Sequence, residues 1–226
     1  MSRGLGDVYK RQVLIIFELI VSHLESCMLR LLIYIKHHLS FIWFFIEWLN
    51  SVVFQLLYGR ILNNNLKKLL ETYQGEFNYR FLQDKDVPVL ADFFSRQPEE
   101  AFKFFKPHGF DVCSLRKKIK DCAFIMVGAF QGEKMVGYCF LRCFFNKHAF
   151  RGKIVDVEYQ GRGIAKQMGK LMTDICLLLN FRVFATISKK NVKSMASSQA
   201  VNRIRIIKEL PDDYLYVEYL LKDNMP

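Results

Sequence analysis

Val155-Asp-Val-Glu-Tyr-Gln-Gly-Arg-Gly-Ile-Ala165 is the stretch on which the reading of this chain turns. A β-rich run enters it, two glycines bracket an arginine, and an amphipathic helical pattern leaves it. Glycine allows backbone conformations and close approaches that side chains forbid. A strand that passes through such a turn into a helix can aim consecutive N–H groups at an anion, helped by the unpaired donors and positive dipole end of the helix. The dipole alone contributes about 0.3 to 2 kcal/mol, so directed hydrogen bonds must supply most of the grip. Arg162 adds a positive charge to the turn. Neither G-x-x-x-x-G-K-[ST] nor G-x-G-x-x-G occurs, which argues against a nucleotide-triphosphate loop and a dinucleotide fold.

Working outward, residues 150–159 read as the strand that feeds the turn. Residues 163–180 read as the helix that follows, with Ile164, Met168, Leu171, Met172, Ile175 and Leu179 at steps of three and four. Beyond it come a strand at 182–188, a short helix at 191–201, and a hairpin pairing 203–208 with 214–221 over Pro211, Asp212 and Asp213. Before it, 123–130 and 135–145 form a hairpin about the polar break at 131–134. Val136, Tyr138 and Phe140 alternate with Gly137, Cys139 and Leu141, so both faces of that strand are apolar and must be covered. Further upstream lie a strand at 78–82, helical segments at 87–96, 99–105 and 111–120, and a turn at Pro107, His108 and Gly109. The fold class is therefore mixed α/β (α+β).

The N-terminal third differs. Residues 1–12 read as a non-native scar, which makes Met28 a natural start. Residues 13–75 form a hydrophobic helical extension, with Asn63, Asn64 and Asn65, then Lys67 and Lys68, as its helix end and linker. A domain boundary is expected near 71–76, and the α/β domain occupies 76–226. Residues 39–58 approach the length of a bilayer span but contain Glu47, Asn50, Ser51 and Gln55. Ser40, Glu47, Ser51 and Tyr58 recur at helical spacing as a narrow polar stripe. With Arg30 and Lys36 before it and Arg60, Lys67 and Lys68 after, this segment suits a membrane-surface helix, a packed or homodimeric helix through residues 28–60, or a spanning one.

The chain has 226 residues, 51% of them apolar, enough to bury a substantial core. Its formal charge of +11 and pI near 9.4 favour acidic ligands. No nucleic-acid-binding motif accompanies that charge, and nucleic acid is not an expected partner. The six cysteines are scattered, with no C-x-x-C pair and no histidine at ligand spacing, so no metal is expected and the thiols read as reduced in a cytoplasmic compartment.

Gln160-Gly-Arg-Gly-Ile-Ala165 resembles the Q/R-x-x-G-x-G/A turn of the GNAT acyltransferase superfamily. Tyr159 before it, Ala185-Thr-Ile-Ser188 as the next strand and Asn191 with Ser194 as the next helix start fit the same pattern. The resemblance implies a mixed, mostly antiparallel sheet flanked by helices, with an N-terminal helical extension. It implies acetyl-CoA as co-substrate and direct transfer of the acetyl group to an amine, with an amino sugar or other small molecule favoured. The strands ending near Tyr159 and Ser188 would splay to admit the pantetheine arm. Val155 and Val157 would bond that arm through their backbone, Gln160, Gly161, Arg162, Gly163, Ile164 and Ala165 would hold the diphosphate, and Asn191 would lie near the cofactor.

Many members carry a tyrosine seven residues after the asparagine, where this chain has Ser198. The proton donor to the thiolate is then Ser198, a nearby tyrosine such as Tyr214, or water. Candidates for the base are Asp156, first, then His148 and Glu158. The loop Phe104-Phe-Lys-Pro-His-Gly-Phe110 sits where acceptor loops usually lie, making His108 and Phe110 the acceptor residues. A similarity to members associated with bacterial surface glycans would fit an enzyme peripheral to the inner membrane. Two rival readings carry forward: a catalytically silent acyl-CoA-binding module, and a basic membrane or nucleic-acid adaptor.

Overall fold

The computed structural model describes residues 39–222. The expected scar, the helices before residue 39 and the start at Met28 lie outside the described residues. Two compact units divide the chain, residues 1–49 and residues 50–226.

Seven strands build one sheet in the order β1-β2-β3-β4-β5-β7-β6. They are β1 (Asn78–Phe81), β2 (Phe124–Gln131), β3 (Lys134–Phe144), β4 (His148–Val155), β5 (Arg182–Ser188), β6 (Arg203–Leu210) and β7 (Tyr214–Leu220). Every neighbouring pair is antiparallel except β4 with β5. The mixed, mostly antiparallel sheet inferred from sequence is what forms. Turn chemistry explains its hairpins: Gly132 takes φ 58° between β2 and β3, and Asp212 and Asp213 take φ 59° and 61° between β6 and β7.

Helices cover both faces. One layer holds α4 (Ile164–Leu178) and, of α1 (Ser40–Glu71), the part from residue 50 onward; the other holds α2 (Val87–Ser95) and α3 (Val112–Ile119), while α5 (Val192–Gln199) packs beside α4. The first core cluster joins Ile164, Met168, Leu171, Met172 and Ile175 of α4 to Cys139, Leu141, Val183, Ala185 and Val217 of the sheet. The second joins Leu90, Phe93 and Phe94 of α2 and Leu115 of α3 to Met126, Tyr138, Phe140 and Ile154. The predicted two-sided burial of β3 follows from this sandwich. α4 ends in a Schellman motif: Asn180 takes φ 55°, its N–H donates to the Leu177 carbonyl, and the Phe181 N–H donates to the Cys176 carbonyl.

The helix break expected at Asn63, Asn64 and Asn65 does not occur; α1 runs unbroken to Glu71. Phe54, Tyr58, Leu62 and Leu70, spaced along one helical face, all sit in the first core cluster, and Leu66 and Leu69 pack against it. That burial outweighs the weak helix propensity of three asparagines, of which Asn65 also donates its Nδ2 to the Ile61 carbonyl. The division between the two compact units falls within this helix, before Asn50. Asn50 and Ser51 are tied into the second unit: Asn50 Nδ2 donates to the Cys143 carbonyl, and Ser51 Oγ accepts from the Cys122 N–H. In the first unit, Phe41 and Phe44 are 71% and 70% exposed, and Phe45 and Trp48 pack on each other at 5.6 Å.

Candidate acyl-group transfer site

β4 and β5 begin as a parallel pair, His148 beside Arg182 and Phe150 beside Phe184, and then part. Beyond that point β4 stays bonded only to β3 as far as Val155, and β5 only to β7 as far as Ser188. The two strand edges therefore face each other across a widening gap, with unpaired backbone groups along it. A gap between parallel strands that opens toward their carboxyl ends is a natural ligand crevice.

At the open end of β4 the chain makes one tight turn over Val157–Tyr159 and enters the glycine segment. Gly161 and Gly163 take φ 83° and 82°, the left-handed region, where an L side chain costs about 1 to 2 kcal/mol. A Cβ built on either would meet nothing within 4 Å, so the space above the turn is open. Gly163 caps α4, and the first helical bond runs from the Gln167 N–H to the Gly163 carbonyl. The N–H groups of Gln160, Gly161, Arg162, Gly163, Ile164, Ala165 and Lys166 find no acceptor among the described residues. Seven donors at an exposed helix opening make a site for an oxyanion such as a diphosphate.

Cations surround it. The Arg162 guanidinium lies 4.8 Å from the centre of the Tyr159 ring, and Lys193 of α5 donates to the Gln160 Oε1 at 3.1 Å. From beneath, Lys153 of β4 donates to the Ala165 carbonyl at 2.9 Å. Burial, and then the nearby Arg151, push the Lys153 ammonium down to about 7. Arg151 itself is buried under α4, bonded to the Gly169 carbonyl, Thr173 Oγ1 and Asn202 Oδ1, with its guanidinium 3.3 Å from the Tyr219 ring centre. A cavity of about 250 Å³ adjoins the turn, lined by Gly75, Glu76, Phe77, Arg162, Gly163 and Gln167 among others.

The residues singled out from sequence fall in different places. Val155 ends β4, half-buried against the first cluster. Val157 is exposed, and its N–H donates to Gln97 Oε1 at 3.2 Å, so that donor is already engaged. Asn191 caps α5, its Oδ1 accepting from the Ser194 N–H. Asp156, the first choice as base, is buried and held: one oxygen accepts from Arg96 at 2.9 Å and the other from the Glu158 N–H. Glu158 is exposed and paired with Lys134. His148 opens β4 at the closed end of the splay, its ring edge-on to Phe184 at 5.2 Å. Ser198 is buried, with its Oγ 3.4 Å from the Tyr219 hydroxyl; Tyr214 pairs with Ser188 at the start of β7.

The acceptor loop turns inward. His108 Nδ1 donates to the Gly109 carbonyl and Nε2 accepts from the buried Tyr138 hydroxyl at 2.9 Å, a neutral imidazole whose pKa burial lowers. Phe110 stacks on Phe94 at 4.3 Å. Both stay half-exposed while packing against aromatic residues of the second cluster.

Sequence reasoning missed Arg151, Lys153, Lys193, Arg96 and Tyr219. The first two carry a legible signal, since Arg151 and Lys153 alternate with Phe150, Gly152 and Ile154 and so share one face of a strand. Among the described residues, no group of three His, Cys, Asp or Glu side chains has the arrangement of a metal site.

The model of the Acetyltransferase (GNAT) family matches residues 78–197. No curated protein sequence matches the chain. Among solved structures, the ribosomal-protein-S5-alanine acetyltransferase from Vibrio fischeri is 17% identical with a TM-score of 0.54, covering 68% of this chain and 97% of that one. The PaiA N-acetyltransferase from Thermoplasma acidophilum, in complex with coenzyme A, is 12% identical with a TM-score of 0.52, covering 65% and 99%. RimJ from Mycobacterium smegmatis, in complex with CoA-disulfide, is 18% identical with a TM-score of 0.52, covering 63% and 80%. At such identities the likeness concerns the fold.

Proposed function

This chain belongs to the GNAT acetyltransferase family, and from that premise we propose that it transfers an acetyl group from acetyl-CoA directly to the amine of a small molecule. The observation that carries the reading is the set of seven N–H groups from Gln160 to Lys166 that find no acceptor among the described residues, beside a strand splay. In this reading those donors, with Arg162, hold the diphosphate, and the pantetheine arm follows the unpaired edges of β4 and β5. The edge donors of the splay then polarise the thioester carbonyl.

Attack by the amine nitrogen forms the C–N bond and breaks the C–S bond, so one proton must leave the nitrogen and one must reach the thiolate. Freeing an amine of lysine-like pKa at neutral pH costs about 4 to 5 kcal/mol. We assign its removal to His148 through water, because Arg96 holds Asp156 and Glu158 pairs outside with Lys134. Return of a proton to sulfur falls to the Ser198 and Tyr219 hydroxyl pair, which lies on the α4 side of the sheet.

Acetyl-CoA is expected to raise the melting temperature of the protein. Gly163→Glu should abolish that shift by setting a carboxylate in the diphosphate site, whereas Gly163→Ala, which adds backbone strain alone, should keep most of it. An unchanged shift in Gly163→Glu would overturn the assignment of the turn. Cofactor binding with no thiol release over a broad amine panel would identify a silent acyl-CoA module instead.

The exposed Phe41, Phe44, Phe45 and Trp48, on a helix long and apolar enough to cross a membrane by length and composition, support a second reading in which α1 rests on an anionic membrane surface. Co-sedimentation with anionic vesicles should fall in a Phe44→Ser, Trp48→Ser double variant; equal partitioning would remove the proposal.

A further inference from the structure

The face of β4, β5 and β7 that turns away from α4 carries an aromatic layer belonging to neither core cluster. Phe150, Phe184 and Tyr216 have ring centres 5.5 to 6.0 Å apart, Phe184 and Tyr216 being nearly parallel. His148 stands edge-on to Phe184, and Phe144 edge-on to Phe150. Phe184 is buried by these neighbours, while Phe144, His148, Phe150 and Tyr216 are half-exposed and Thr186 is exposed. Strand register continues the layer as a row, with Arg142 beside Phe150, Phe184 beside Glu218, and Glu218 beside Arg205.

The charge on this face is one-sided. Glu218 is buried, and both of its oxygens are taken, one by Arg182 at 2.7 Å and the other by Arg205. Those two arginine side chains are 56% and 55% exposed, so one carboxylate meets two cations whose outer edges stay in solvent. Lys208 stands beside Tyr216 in register and adds a third. The layer also borders the splay. Gly152 lies just past the last β4–β5 pair, and an added Cβ there would meet Phe140 at 2.5 Å and Phe105 at 3.3 Å, so those two rings close over the β4 backbone where the splay begins.

We propose that this layer is the acceptor platform and that it selects a primary amine carrying both a flat ring and an anionic group, carboxylate or phosphate, over a polycation. The inference rests on the acetyl-transfer reading of the splay. Ring faces offer stacking to a planar group. Half-exposed guanidinium groups offer paired hydrogen bonds to an oxyanion. A polyamine finds no open carboxylate here, and the faces of Phe144 and Phe184 already carry Arg142 and Arg182 at 5.3 and 5.2 Å.

Calorimetric binding to the whole protein, without cofactor, tests the acceptor class directly. L-tryptophan carries ring and carboxylate, UDP-glucosamine carries ring and diphosphate, tryptamine carries the ring alone, and spermidine is the polycation. One of the two anionic amines should bind at least about tenfold more tightly than tryptamine and spermidine, and which one does so names the source of the anion. Tyr216→Leu, which keeps apolar volume, should weaken that binding about tenfold at an unchanged melting temperature, and Tyr216→Phe should restore it. Tighter binding of spermidine or tryptamine, no binding of any of the four, or full affinity in Tyr216→Leu would overturn the proposal. A parallel acetyl-CoA titration keeps the two readings apart: cofactor binding with a failed platform sinks this inference alone, and a working platform without cofactor binding sinks the transfer reading and with it the acceptor role, leaving a ligand site only.

Discussion

Two corners of the molecule bury charge next to the glycine turn, and they do so in opposite ways. Where β4 runs into the turn, Asp156 is matched by Arg96 at the end of α2, and Gln97 beside it takes the Val157 N–H. Under α4, Arg151 and Lys153 lean only on neutral acceptors: two carbonyls, a threonine hydroxyl, an asparagine amide and a tyrosine face. No carboxylate among the described residues pairs with either. An ion pair closes its own field, whereas cations held by neutral dipoles leave theirs open. The open field lies beneath N–H donors that find no acceptor among the described residues. The first corner is a fastening, and the second keeps the base of the turn positive.

Arg151→Ala should produce the largest change. It removes the charged donor bonded to Thr173, Asn202 and the Gly169 carbonyl and leaves a buried hole, so a loss of about 3 to 5 kcal/mol is expected in urea unfolding. A loss below about 1 kcal/mol would mean that the neutral network holds without its cation.

Asp156→Asn should cost less, about 1 to 3 kcal/mol, because half-exposed Arg96 can turn to water and to Asp92. Hydrogen exchange should quicken at the end of α2 and leave α4 unaltered. Faster exchange confined to α4 would reverse the roles given to the two corners.

At Lys153 the effect appears mainly as a pH dependence and not as a fixed loss. Its ammonium titrates near 7 in the fold and near its ordinary value when unfolded, so between those points the unfolded chain binds more protons. Stability from this residue therefore rises with pH from about 7 upward and is lowest below it. Lys153→Met should flatten that rise relative to the parent protein; parallel curves would show that the amine is solvated in the fold.

Much of the architecture was legible in the residues. Ile164, Met168, Leu171 and Ile175 announce α4 because a helix buried on one side repeats its apolar positions locally. Gly132 and the Asp212, Asp213 pair announce hairpins because few residues accept their backbone angles. The unbroken α1 was not legible, since Asn63 to Asn65 look like an end until Leu62, Leu66 and Leu70 are seen against the sheet. Nor was the engagement of Asp156, whose partner Arg96 lies far away in sequence. The packing of His108 and Phe110 against the second cluster was not legible either, because an aromatic loop and an aromatic core have the same composition.

The sequence by itself determined the glycine turn, the order of strands and helices around it and the family to which the chain belongs, all consequences of local conformational preference and short-range periodicity. Only the tertiary structure decided where β4 and β5 part, which carboxylates find arginines, and that buried Arg151 and half-buried Lys153 meet no carboxylate among the described residues. Those outcomes depend on contacts between residues far apart in the chain, where burial raises the cost of every unpaired charge and so decides which groups must meet.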